Sequence, residues 1–212
     1  MKKIKNALVI LAGGIGKRFD KNIPKQFVFL DEYNSSIFKN NKINLGVIYR
    51  NYQSKKREVE LIKIAKACKK KRFKLFVSND LKLALKVKAE GIYIPSFNRT
   101  GRFSNFQKKN FKILGSAHNQ KEIKEKIKQK CTGLFLSPLF FVRKKNYHLG
   151  VHKFNSLARI NKIAFYALGG INENNINKLK LLNVKGFGGI SLFKKKPAYK
   201  RPVFLKKNFF ML

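Results

Sequence analysis

Tryptophan is missing from this 212-residue chain, and methionine, cysteine and proline are scarce, at 2, 2 and 5 residues. The two cysteines, Cys68 and Cys131, sit among apolar and basic neighbours without metal-ligand spacing, so they are expected to be buried free thiols. No apolar run approaches the roughly 18 residues that a membrane span needs. The opening Met1-Lys2-Lys3 and the apolar Ala7 to Ala12 have the outline of a signal sequence. That stretch is only six residues long, however, and Gly13-Gly14-Ile15-Gly16-Lys17-Arg18 follows it in place of a cleavage site, so the chain reads as cytoplasmic. Acidic residues are also few: 10, against 49 lysines and arginines, for a formal net charge of +39.

What is abundant qualifies that charge. The basic residues are spread along the chain and are not gathered into one arm or stripe. Asparagine (21 residues), isoleucine and phenylalanine (20 residues) rise together with lysine. An AT-rich coding bias produces this combination. Compositional bias plus anionic small-molecule substrates is therefore favoured over a dedicated nucleic-acid role, which stays as an alternative. With 44% apolar residues and 13% aromatic, the chain can build one full core but is too short for two ordinary enzyme domains.

Short apolar runs recur at Phe27–Leu30, Leu45–Tyr49, Phe73–Val77, Gly91–Ile94, Phe111–Gly115, Gly133–Leu136, Ile163–Leu168 and Gly186–Ile190. Helical patterns fill several gaps. Lys55–Lys70 places Val59, Ile62, Ala65 and Cys68 on one face. Asn119–Lys130 opens with Asn119 and Glu122 in capping-box spacing. Asn172–Leu182 presents Ile176, Leu179 and Leu182. Leu81–Ala89 allows little more than two turns, and Thr100–Lys109 reads as a polar loop with a turn or so of structure. His148 and His152 fall in what reads as a loop, and no role is assigned to them. Eight strands with helical crossovers predict a compact α/β fold, a (β/α)₈ TIM barrel; the rival is an open doubly wound sheet.

In a parallel barrel the functional groups gather at the C-terminal strand ends. Those positions hold Arg50 after the second strand, Asn79-Asp80 after the third, and Ser96 and Asn98 after the fourth. Ser116 and His118 follow the fifth, Ser137 the sixth, Gly169-Gly170 the seventh, and Gly188-Gly189-Ile190-Ser191 the eighth. Glycines at the last two strand ends let backbone N–H groups close around a phosphate. Phosphorylated small molecules are the expected partners.

The ordered series resembles the thiamine phosphate synthase and thiazole tautomerase family over about residues 27–193. It runs through Val77-Ser78-Asn79-Asp80, Gly91-Ile92-Tyr93-Ile94-Pro95-Ser96, Gly115-Ser116-Ala117-His118-Asn119 and Leu136-Ser137-Pro138-Leu139-Phe140 with Lys144-Lys145. It ends at Phe165 to Asn172 and Gly186-Phe187-Gly188-Gly189-Ile190-Ser191. The resemblance implies that Gly169, Gly170, Gly188 and Ser191 hold the phosphate of a thiazole ethyl phosphate. It sets Arg50 and Lys145 against the pyrophosphate of a hydroxymethylpyrimidine pyrophosphate, with Ser116 beside it. Asn79 would position the pyrimidine, Asp80 would bind Mg²⁺, and His118 would take the proton-moving role of the tautomerase branch. Departures are visible too. The family's Gln-x-Arg-x-Lys motif reads Ile48-Tyr49-Arg50-Asn51-Tyr52, its second Mg²⁺-binding Asp is Asn98, and the Gly before Pro138 is Ser137.

Residues 7–26 resemble something else. A strand, a Gly-rich loop, Lys17-Arg18 and Pro24-Lys25-Gln26 look like the opening of sugar-phosphate and methylerythritol-phosphate nucleotidyltransferases, where such a loop cradles a nucleoside triphosphate. A nucleotidyltransferase is thus an alternative function, although residues 27 onward read as the barrel. The expected organisation is an appended segment over 1–26, the barrel over 27–193 and an irregular basic tail over 194–212, broken by Pro197 and Pro202. Phe204, Leu205, Phe209 and Phe210 of that tail are expected either to pack on the barrel or on a second subunit, which leaves a homo-oligomer open, or to stay solvent-exposed in a disordered tail.

Overall fold

The computed structural model describes residues 24–40, 44–103, 106, 110–143 and 145–194. Eight parallel strands close into a barrel in sequence order, β1 (Gln26–Leu30), β2 (Leu45–Tyr49), β3 (Lys74–Ser78), β4 (Gly91–Ile94), β5 (Lys112–Ala117), β6 (Gly133–Leu136), β7 (Ala164–Leu168) and β8 (Gly186–Gly189). β8 returns to β1 with Val28 opposite Gly189 and Phe27 opposite Gly188. Each expected apolar run is thus a strand, and the open-sheet alternative is set aside. Strands of a parallel barrel are covered on both faces, which is why they read as unbroken apolar runs.

Side chains alternate along each strand. Val28, Leu30, Val47 and Leu134 face outward to the helices, while Phe27, Phe29, Ile48, Phe76, Tyr93, Leu114, Phe135 and Tyr166 form a separate cluster that fills the barrel. Phe27 lies within it, edge-on to Phe135 at 5.1 Å and to Tyr166 at 5.2 Å, with Phe76 at 5.7 Å. Edge-to-face packing of this kind adds to the burial of the rings themselves. A Cβ on Gly46 would lie 2.2 Å from the Phe27 ring, so the facing position on β2 must be bare.

The crossovers carry α1 (Ser35–Asn40), α2 (Arg57–Lys71), α3 (Leu81–Lys86), α4 (Gln120–Lys128) and α5 (Gly150–Arg159), with α6 (Ser191–Lys194) after β8. Asn119 caps α4 as expected, its side chain accepting from the Glu122 amide at 3.0 Å. Glu122 reaches back to the His118 amide at 2.8 Å, one residue before the cap residue that a capping box would engage. The 3₁₀ turn at Gly101–Phe103 matches the loop expected there.

Three expectations are corrected. α2 buries Leu61, Ile64 and Cys68, whereas Val59 stands 54% exposed and Ile62 faces solvent with it. Apolar residues lie nearly all round this helix, so its buried face is set by where the barrel lies. Ile176–Leu181 is a 3₁₀ helix, because the asparagines before it take up the local backbone: the Asn172 amide donates to Asn175 Oδ1 and the Asn174 amide to Asn172 Oδ1. His152 lies in α5, not in a loop; His148 does precede the helix. The nucleotidyltransferase-like segment up to residue 23 and the tail from residue 195 lie outside the described residues.

Both cysteines are buried free thiols. Burial pushes each thiol up to about 12 from the ordinary 9.0. An acid whose folded-state pKa is raised favours folding fully below its unfolded pKa and loses that contribution above it. Stability is therefore expected to fall as pH climbs from 9 towards 12. At pH 8 neither thiol should react with a disulfide reagent until the chain is unfolded, and titration of native protein checks this.

Candidate active site

β7 and β8 are neighbours in register, Leu168 opposite Gly188, so the two glycine-bearing strand ends emerge side by side, about one strand spacing apart. Gly169 and Gly170 have φ of +90° and +72°, which glycine adopts without strain. The carbonyls of this turn are used: Gly169 accepts from the Phe140 amide at 3.1 Å, and Gly170 from the side chains of Asn175 and Asn172. Among the described residues the amides of Gly169 and Gly170 donate to no protein acceptor. A Cβ on Gly170 would sit 2.5 Å from the Phe140 carbonyl oxygen, so the turn lies tight against the loop after β6. Gly188 has a different reason to be glycine. A Cβ there would meet Phe29 at 2.9 Å and Phe135 at 3.1 Å, both in the barrel interior. Ser191 is exposed at the start of α6.

That same loop carries Lys145, whose Nζ lies 2.9 Å from Nε2 of His118 at the end of β5. Ser137 Oγ approaches the other ring nitrogen at 3.4 Å, with Glu122 Oε2 at 3.9 Å. An ammonium can only donate, so Nε2 is the acceptor in the Lys145 contact. Lys144 lies outside the described residues.

Across the mouth, Arg50 is held in a bidentate pair by Asp31, at 2.9 and 3.2 Å, above the Phe29 ring. Asp80 caps α3, accepting from the Leu83 amide at 2.9 Å, and its second oxygen faces Arg57 at 3.5 Å. Asn79, at φ +58°, accepts from the Asn98 side chain. Ser116 is buried below the mouth, bonded to the Tyr93 hydroxyl; burial raises the Tyr93 phenol strongly, and this bond partly opposes the rise. The structure thus brings together His118, Lys145 and the Gly169–Gly170 turn. It gives Arg50 and Asp80 protein partners and keeps Ser116 beneath the rim.

The family model described as thiamine monophosphate synthase matches residues 41–193, most of this chain. The chain belongs to that family. A thiamine-phosphate synthase of Clostridium perfringens is 30% identical over 154 residues, 69% of this chain and 74% of that one. One from Prochlorococcus marinus subsp. pastoris is 33% identical over 124 residues, 57% of this chain; the match spans only 35% of that longer relative. Among solved structures, the thiamine phosphate pyrophosphorylase of Pyrococcus furiosus superposes with a TM-score of 0.63 at 20% identity, covering 79% of this chain and 85% of that chain. At that identity the likeness speaks for the fold.

In this member of the thiamine monophosphate synthase family, three residues at the mouth went unseen in the sequence. Tyr52 donates its hydroxyl to Ser78 Oγ at 2.6 Å, since the Ser78 proton goes to the Tyr93 carbonyl. Its ring meets that of Phe97 edge-on at 5.8 Å, with exposures of 39% and 67%. Arg57 lies over the Tyr52 ring and donates to the Ser78 carbonyl. Nothing in sequence separates Arg57 from the other basic residues; Tyr52 could have been found as the residue replacing the family's lysine. The family resemblance also implies Mg²⁺. Asp80 has both oxygens engaged, Asn79 and Asn98 bond each other, and no group of three His, Cys, Asp or Glu among the described residues could hold a metal ion. As arranged, these residues do not fit a cation site built by the protein alone. No helix among them is long and apolar enough to cross a membrane.

Proposed function

We propose that this chain is an enzyme of thiamine biosynthesis that joins hydroxymethylpyrimidine pyrophosphate to thiazole phosphate. The observation that carries this reading is the Gly169–Gly170 turn: its amides are unclaimed among the described residues, and it is laced to the loop that brings Lys145 to His118. The turn and the adjacent β8 end would bind the thiazole phosphate through N–H groups. In the coupling step the bond from the pyrimidine methylene to the pyrophosphate oxygen breaks, and pyrophosphate leaves with the electron pair. The thiazole nitrogen lone pair then forms the new C–N bond. Lys145 would neutralise the charge that develops on the leaving group, the main catalytic term in such a reaction. Arg50 could join it by exchanging its Asp31 partner for the substrate.

A second reading has its own support. His118, whose Nε2 meets Lys145, would move a proton on the thiazole phosphate, as in the tautomerase branch. The family match begins at residue 41 and lends no support to the nucleotidyltransferase or nucleic-acid alternatives. Supplying both precursors and following pyrophosphate release tests the first reading; the expected result is turnover, reduced on the order of 10²-fold by Lys145→Met. Thiazole isomerisation without coupling would transfer the assignment to the second reading.

A further inference from the structure

α4 contains one anomaly. Its sequence offers Ile123 and Ile127 as an apolar pair one turn apart, yet the structure buries Ile123 with Lys126 and leaves Ile127 exposed. Lys126 is 0% exposed. It makes no ion pair with a carboxylate among the described residues; its ammonium donates to the Asn98 carbonyl and to Gln129 Oε1, the latter at 2.9 Å. Gln129, also buried, donates to the carbonyls of Asn98 and Thr100 at 3.1 and 2.7 Å. Arg99 pairs with Glu125 of the same helix at 3.5 Å. A buried ammonium hydrogen-bonded only to neutral groups costs free energy, so a position that keeps one calls for a reason. The strand beneath accommodates it: a Cβ on Gly115 would meet Cys131 Sγ at 2.9 Å and Lys126 Cδ at 3.2 Å.

The two gripped carbonyls lie within the loop after β4, on either side of Arg99, and that loop builds one wall of the mouth. Asn98 bonds Asn79 through its amide nitrogen and holds Thr100 through its amide oxygen, and Phe97 packs on Tyr52. We propose that Lys126, with Gln129, is a positioning residue that clamps residues 98–100 and thereby fixes Asn79 and the Phe97–Tyr52 pair at the substrate-binding mouth. This rests on the coupling reaction proposed above only for its kinetic readout.

The test uses Lys126→Met in the full chain, a replacement of similar length that removes the donor. Amide exchange at Asn98 and Thr100 is expected to quicken roughly tenfold to a hundredfold, the loss of a charge-assisted hydrogen bond. KM for the pyrimidine pyrophosphate should rise and kcat fall, while the midpoint of denaturant unfolding stays in place. Unchanged exchange at 98–100 overturns the proposal. So does a lowered midpoint with exchange raised evenly around the barrel, which a purely structural lysine would give. If Lys126→Met does not fold, Gln129→Leu removes the other two grips and must loosen the same residues. Wild-type turnover in the parallel assay judges the coupling reaction separately. Should the wild type be inactive, that reading falls, and the exchange data together with the affinity for inorganic pyrophosphate decide the role of Lys126 alone.

Discussion

Gly170→Ala is expected to lower kcat/KM on the order of 10²–10³-fold, the loss seen when one preorganised donor to developing charge is removed. The reason is local and doubly determined. At φ +72° an L side chain is strained, and the new methyl carbon would lie 2.5 Å from the Phe140 carbonyl oxygen and 2.7 Å from that of Phe141. These are backbone atoms of the loop that positions Lys145, and they cannot swing aside as a side-chain tip can. The turn must rotate, which would take its amides off the phosphate proposed to bind there, or the loop must retreat, which would separate Lys145 from the proposed leaving group. Backbone strain of this kind costs about 1–3 kcal/mol, within the usual stability of a domain, so the barrel should remain folded. Steady-state kinetics beside circular dichroism separates the two effects. Gly170→Asp, which adds a carboxylate to the same place, should abolish turnover. Wild-type kinetics in either variant would mean that phosphate binds elsewhere.

Phe27→Ala should remove about 3–5 kcal/mol of stability, the range for deleting a fully buried aromatic ring. For a chain of this size that corresponds to a fall in Tm of roughly 6–20 °C. Phe27 is the shared neighbour of Phe76, Phe135 and Tyr166, and its loss opens a cavity at the centre of the barrel. The surrounding strands are tied in a closed ladder and cannot collapse into it. A companion measurement makes the argument specific. Gly46→Ala drives a methyl group into the Phe27 ring in the wild type, but has room in the Phe27→Ala background. The two substitutions should therefore be strongly non-additive, with the double variant more stable than the sum of the single losses implies. Additive losses would show that Gly46 is not reserved for that ring.

Legibility in the sequence followed the physics of each element. The strands could be read because a parallel barrel covers both faces of every strand, and eight short apolar runs leave few other solutions. Placing chemistry at the strand ends followed from that alone, and it put His118 and the paired glycines on one rim before any distance was known; Lys145 was singled out only by the family resemblance. The buried face of α2 could not be read, since Val59, Leu61, Ile62, Ile64 and Ala65 spread apolar surface around the helix and only the barrel selects among them. Arg50 and Asp80 were recognisable as mouth residues, but not their partners: Asp31 lies 19 residues from Arg50, and Arg57 lies 23 from Asp80. Lys126 was the least visible of all, one basic residue among 49, on a helix where the neighbouring isoleucine was the natural candidate for the core.

The sequence by itself determined the barrel, the order of its strands and the rim at which polar and glycine residues collect. Burial of strands and the spacing of strand ends depend on local periodicity, and periodicity is written directly in the chain. Closure of the barrel selected which charge meets which: that Lys145 rests on His118, that Asp31 holds Arg50, and that a lysine bonded to a backbone carbonyl lies beneath the loop after β4. Those choices turn on separations of about 3 Å between groups far apart in the chain, and closing the barrel is what sets them.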